Sequence, residues 1–204
     1  MNRIDLIGEL IEKFEYSHEV LGEKFYKGQV EIERLSGVKD DISIIASEVL
    51  LSDTYEIGDS VSVIGEIRSR KDNGRLEIYV FPEFLEKTNA PHRNEVVLEG
   101  YMAKPVIVRR TPLGRLIADL FVAVHRKNIT SFVRSDYIPA ICWGRGASFA
   151  NSFDPGTKIH VEGRLQSRRY TKKYFDEENE RTEFEVRIVH EISAQEVSII
   201  NEDN

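Results

Sequence analysis

Apolar and polar positions alternate along most of this chain, and turn-forming residues interrupt the alternation at short intervals, so the sequence predicts strands almost throughout. In the second half, Val96, Leu98 and Gly100 open a strand that runs towards Val108. Arg109-Arg110-Thr111-Pro112-Leu113-Gly114 makes a turn, and Leu116 to Val124 alternates as the returning strand of a hairpin. Tyr137 to Trp143 reads as a third strand, where Pro139 requires an edge position or a bulge because it has no N–H to give a ladder. Arg145 to Phe153 suits a short helix, ended by Asp154-Pro155-Gly156. Lys158 to Tyr170 gives a long strand and Glu183 to Val189 another, with Asp176-Glu177-Glu178-Asn179-Glu180 as an acidic turn between them.

The pattern occurs twice. Gly58 to Arg70, GDSVSVIGEIRSR, returns as GTKIHVEGRLQSR from Gly156 to Arg168. Upstream, Leu6 and Gly8 lie 92 positions before Leu98 and Gly100, and Arg34 lies 92 before Arg126. An offset that is constant across strands and changes only where loops fall marks a duplicated domain. Five strands with a short helical connection between the third and fourth is the order of an OB-fold barrel, so the expectation is an all-β chain of two tandem OB-fold barrels. The first copy carries only a short connection, Ser47 to Tyr55, at the helical position. Gly100 and Gly163 fall inside strands, where a small barrel needs a sharp bend to close. The polar, proline-broken stretch Glu86 to Arg93 places the seam, dividing the chain into residues 1–90 and 94–204.

Charge divides along the same seam. The chain of 204 residues has a net charge of −7, and residues 1–93 hold 12 Lys and Arg against 19 Asp and Glu. Residues 104–173 carry 14 Lys and Arg against Asp119, Asp136, Asp154 and Glu162, so an acidic protein has room for one basic face. No stretch is long and apolar enough to span a bilayer, the N-terminus lacks the apolar core of a signal peptide, and the one cysteine, Cys142, has no internal partner. These features set the expectation of a soluble protein in a reducing, cytoplasmic compartment.

Asn94 to Gly100, Arg109 to Gly114, Asp136 to Gly144 with its Cys-Trp-Gly, Val161-Glu162-Gly163-Arg164-Leu165-Gln166-Ser167-Arg168-Arg169-Tyr170, and Thr182 to Val186 resemble the bacterial single-stranded DNA-binding protein family in order and spacing. The resemblance covers residues 94 to about 200, and the whole chain looks like the form with two OB domains per chain. It implies a nucleoid-associated, non-enzymatic protein that coats single strands in replication, recombination or repair. It also implies a homodimer that supplies four barrels. Family members usually continue into a flexible tail with an acidic and aromatic tip, whereas this sequence ends at Ile199-Ile200-Asn201-Glu202-Asp203-Asn204, which puts recruitment of replication or repair proteins through such a tail in doubt. The acidic first copy, without a tryptophan, reads as a degenerate barrel that completes the four-barrel assembly or docks another protein rather than binding DNA.

A single strand exposes base faces and one negative charge per nucleotide, so a sequence-tolerant binder needs aromatic platforms among cations. Trp143, Tyr170 and Tyr137 match positions where the family stacks bases, and Phe132 lies in the loop before them. Arg109 and Arg110 in the first turn, Arg126 and Lys127 after the second strand, and Arg145 beyond Trp143 are within reach of phosphate. Arg164, Arg168, Arg169, Lys172 and Lys173 follow along the fourth strand and its loop. Tyr137, Ile141 and Trp143 share a strand face, so burial of that face is the alternative. A protein-interaction module that lost DNA affinity, or an RNA-binding OB protein, fits the same residues.

Catalysis has no support. Asp119, Asp136, Glu162 and Glu183 fall on different strands with no spacing that would hold Mg²⁺. The histidines are single and scattered, no Cys-x-x-Cys occurs, and Gly144-Arg145-Gly146 lacks the Lys-Ser/Thr of a phosphate loop, so no metal or cofactor is expected.

Overall fold

The computed structural model describes residues 1–72, 74–126, 134–176 and 181–201. In chain order the strands are β1 (Asn2–Val20), β2 (Glu23–Glu33), β3 (Lys39–Ser47), β4 (Ser60–Asp72) and β5 (Arg75–Lys87), then β6 (Arg93–Met102), β7 (Ile107–Arg110), β8 (Leu116–His125), β9 (Ser135–Trp143), β10 (Lys158–Asp176) and β11 (Arg181–Ile199). The one α-helix among the described residues, α1 (Arg145–Ala150), lies between β9 and β10, and a single 3-10 turn, Glu48–Leu51, occupies the matching place in the first half.

Two five-stranded barrels result. In the first, β1 pairs with β2, β2 with β3, β3 in parallel with β5, β5 with β4, and β4 with β1. In the second, β6 pairs with β8, β8 with β9, β9 in parallel with β11, β11 with β10, and β10 with β6. Alternate residues of each strand point inward, and Ile4, Leu6, Val63 and Ile67 of one barrel have the fully buried counterparts Val96, Leu98, Val161 and Leu165 in the other.

Closure needs glycine at matched bends. A Cβ at Gly100 would lie 2.5 Å from the carbonyl oxygen of Ala123, and one at Gly163 would collide with the carbonyl oxygen of Ser193. Only a residue without a side chain lets the neighbouring backbone approach this closely.

Three sequence expectations change at the edges of elements. The strand opening at Val96 does not reach Val108: Pro105 has no amide hydrogen and breaks the ladder, so β6 stops at Met102 and β7 restarts at Ile107. The helix is shorter than Arg145 to Phe153 and ends in a turn in which Phe153 N–H donates to the Ala150 carbonyl. The fourth and fifth strands run past their expected limits into a long two-stranded arm, paired from Ile159↔Ile199 out to Asp176↔Arg181. Pro139 sits outside the two-residue parallel contact of β9 with β11, where its missing N–H costs nothing.

The barrels are joined along β1 and β6, which pair antiparallel from Asn2↔Leu98 to Ile7↔Arg93. Ile4 lies opposite Val96, its own repeat counterpart, so a pseudo-two-fold axis passes through this point. Asn2 brackets Ile67 with two hydrogen bonds, Nδ2 to the carbonyl at 2.8 Å and the amide to Oδ1 at 3.0 Å, and Asn94 brackets Leu165 in the same way at 2.7 and 2.9 Å. Charged clamps repeat the symmetry. Arg126 grips the buried Asp136 through Nε and Nη2, both at 2.7 Å, and Asp136 accepts the Ser69 N–H at 2.6 Å from the other barrel. Arg34 grips the buried Asp40, which accepts the Ser167 N–H at 2.8 Å.

Candidate nucleic-acid interface

The outer face of β9 is the first part of the site. Ile138, Ala140 and Cys142 point into the core, so Tyr137 and Trp143 point outward and remain 44% and 37% exposed, while Ile141 between them is covered. The burial alternative therefore holds for Ile141 and fails for the two large rings. They do not form one platform, because six residues of strand separate them by roughly 20 Å.

Trp143 ends β9 opposite Ile117 and lines a groove of about 640 Å³. Arg115, just before β8, holds its guanidinium 5.6 Å above the indole ring. Arg164, Arg168 and Arg169 of β10 line the same groove. Backbone alternation sends Arg168 and Arg169 to opposite faces of the arm: Arg168 reaches Glu191 at 3.3 Å and Arg169 reaches Asp41 of the first barrel at 2.9 Å. Both side chains stay more than half exposed, so these ion pairs are weak and exchangeable for a phosphate.

The other expected residues fall into separate groups. Tyr170 is half-buried farther along the arm, with the Arg168 guanidinium 5.8 Å from its ring, and Lys172 and Lys173 are exposed beyond it without an acidic partner among the described residues. Arg145 opens α1, two residues after Trp143, and is equally unpaired among the described residues. Among the described residues Arg110 donates through its side chain to the Gly114 carbonyl alone, at 3.0 Å. Arg109 is held in a two-pronged pair with Asp119 at 2.7 and 3.0 Å, which raises its pKa. Arg126 is committed to the inter-barrel clamp through Nε and Nη2, and the Asp136 carboxylate beside it likewise raises its pKa. Lys127 and Phe132 lie outside the described residues.

Sequence reasoning missed five residues of these surfaces. Arg115 went unnoticed although the pairing of Ile117 with Trp143 places it beside the indole. Phe121 stacks on Tyr137 at 5.8 Å and 15°, with the Lys104 ammonium 4.6 Å from the Phe121 ring, forming a second aromatic and cationic patch. Phe175 and Phe184 stand on the arm, 62% and 66% exposed. Their signal was alternation continuing past the last core residue of the strand.

The first barrel is built differently at the matching places. Ser47 stands where the second barrel has Trp143, and its hydroxyl caps the 3-10 turn. Arg68 and Arg70 lie over Phe81 and Tyr79, but Glu66 and Glu77 pair with both cations. No group of His, Cys, Asp or Glu among the described residues could hold a metal ion, and no described helix is long and apolar enough to cross a membrane.

The model of the single-strand binding protein family matches residues 93–199, which takes in the whole second barrel and its arm. The chain belongs to this family. Single-stranded DNA-binding protein A of Bacillus subtilis is 32% identical over 114 residues, covering 54% of this chain and 61% of that protein. Single-stranded DNA-binding protein 3 of Listeria innocua is 36% identical over 80 residues, covering 38% of this chain and 50% of its own. The chain thus spans about half to three-fifths of the length of these relatives. The crystal structure of the wild-type single-stranded DNA binding protein from Thermus aquaticus superposes over 100% of this chain and 95% of that one, with a TM-score of 0.76 at 20% identity. That likeness extends the tandem OB fold over both barrels. The single-strand binding family match lies on the barrel that carries Trp143.

Proposed function

We propose that the chain binds single-stranded DNA without sequence preference, as a non-enzymatic protein of replication, recombination or repair. The observation that carries this reading is the exposed Trp143 indole in a groove lined by Arg115, Arg168 and Arg169, which offers a base face and phosphate partners together. Arg145, Lys172 and Lys173 extend the cationic surface, and Tyr170 supplies a second ring along the arm. The names of the bacterial relatives point the same way.

Residues 94–204 form the binding unit in this proposal, and residues 1–90 serve as its packing partner, since their cations at the matching face are closed by Glu66 and Glu77. A homodimer would then supply four barrels, two per chain, and the protein would act on the nucleoid in the cytoplasm. Sedimentation at micromolar concentration tests the dimer: a monomer there removes it.

Competition tests the function. Labelled oligo-dT should be displaced by unlabelled oligo-dT and far less by duplex of equal length or by oligo-U. Equal displacement by duplex would remove the single-strand reading, and preferential displacement by oligo-U would move it to RNA.

A further inference from the structure

Arg164 differs from every other arginine of the interface. Its Nε is buried and, among the described residues, is the buried side-chain nitrogen or oxygen without a hydrogen-bond partner. Its repeat counterpart is Glu66, since Gly65 and Gly163 precede the two, and Glu66 is closed by Arg68 at 3.2 Å. The first barrel therefore satisfies this position internally and the second leaves it open.

Arg164 also stands where two grooves meet. One is the Trp143 groove. The other, of about 710 Å³, lies between the barrels, bounded by the turn at Leu35 and Ser36 and by the connection at His92 and Arg93, and Arg34, Arg164 and Gln195 line both. The neighbouring charges do not serve Arg164. Arg34 is held by Asp40, Arg93 pairs with Asp5 at 3.3 Å, and the His92 Nδ1 accepts the Glu33 N–H at 3.0 Å. Glu33 and Glu95 line the second groove without an ion pair to Arg164. Burial and the like charge of Arg34 push the Arg164 pKa down. The Nε itself is covered, but Arg164 lines both grooves, and a half-buried guanidinium with no anionic partner among the described residues is stabilised by an oxyanion that docks on its groove-facing side.

Resting on the single-strand reading, we propose that Arg164 binds one backbone phosphate where the strand leaves the Trp143 groove and passes into the groove between the barrels. The strand thus crosses from the second barrel onto the seam, over Leu35 and Ser36. The recognised chemistry is a phosphate oxyanion, supplied by a phosphodiester within a strand and not by a free anion.

The test pairs protein and ligand changes. Oligo-dT carrying one uncharged methylphosphonate linkage, moved step by step along the strand, is titrated against the wild-type chain and Arg164→Gln. One linkage position should cost the wild type about tenfold in affinity. That penalty should vanish in Arg164→Gln, whose log–log salt slope should fall by about 0.7, with unchanged Trp143 quenching at saturation. Arg164→Lys, which keeps the charge, should retain the salt slope, and equal urea midpoints would show that both variants fold. A dye on Ser36→Cys reads the crossing, because Cys142 is buried with its thiol pushed up to about 12 and does not label. The dye should respond to a long oligonucleotide and not to inorganic phosphate. Persistence of the linkage penalty in Arg164→Gln, a silent dye, or equal competition by inorganic phosphate would overturn the inference while leaving Trp143 quenching intact. Loss of that quenching in the wild type would instead overturn the single-strand reading itself.

Discussion

Asp136 of the second barrel accepts the backbone N–H of Ser69 of the first at 2.6 Å, across 67 positions of sequence. The same carboxylate holds Arg126 through two bonds, and Arg126 passes a third to the Ser69 carbonyl at 3.1 Å. Arg34, Asp40 and Ser167 repeat this clamp in the opposite sense. The repeat has thus become an internal two-fold interface, with each barrel lending its buried aspartate to the other's fourth strand.

The clamp sets a stability prediction. Asp136→Asn removes the charge opposite a mostly buried Arg126 and should cost about 3–5 kcal/mol in urea denaturation. Ser69→Ala keeps the Ser69 N–H to Asp136 but loses a hydroxyl that donates to Asp136 at 3.2 Å and accepts the Tyr137 N–H at 2.9 Å, so it should cost about 1–3 kcal/mol, less than Asp136→Asn.

Trp143 should separate binding from folding. Trp143→Ala should weaken oligo-dT binding by about 1–3 kcal/mol, while Trp143→Phe retains most of the affinity. Since the indole is 37% exposed and stands outside the core, the urea midpoint of either variant should barely move.

Cations predicted alike from sequence should behave differently. Lys172→Gln and Lys173→Gln, which break no ion pair among the described residues, should each lower the log–log salt slope by about 0.7 for a single strand. Arg109→Gln should lower it less, because Asp119 already occupies that guanidinium. Arg126→Gln should show mainly as lost stability.

His190 gives the pH dependence. It stands on the arm, its Nε2–H donates to the Asp41 carbonyl of the first barrel at 2.7 Å, and burial pushes its pKa below the ordinary 6.5. The unfolded chain therefore takes up the proton first as pH falls, so stability is fully present above 6.5 and declines as pH falls below it towards the folded pKa. Urea midpoints measured from about pH 7.5 to about pH 5 should fall, and the fall should be shallower in His190→Gln.

The repeat, the order of strands and the barrel-closing glycines were legible because burial enforces them: alternation at Leu98 or Val161 records an inward side chain. Beyond Tyr170 that constraint disappears. Phe184, Val186 and Ile188 alternate on an arm with no core beneath them, so the strand continued where its reading stopped. The fate of the arginines was hidden for another reason. Arg126 and Arg109 look alike in sequence, and only tertiary pairing shows that one belongs to the seam and the other to Asp119.

Titration of the intrinsic Trp143 fluorescence with oligo-dT, at low and at high salt, tests the central claim most directly, since Trp143 is the one tryptophan in the chain. Strong quenching, with an affinity that falls steeply as salt rises, is the predicted result. Unchanged fluorescence and no binding even at low salt would contradict it and favour a barrel pair devoted to protein contacts.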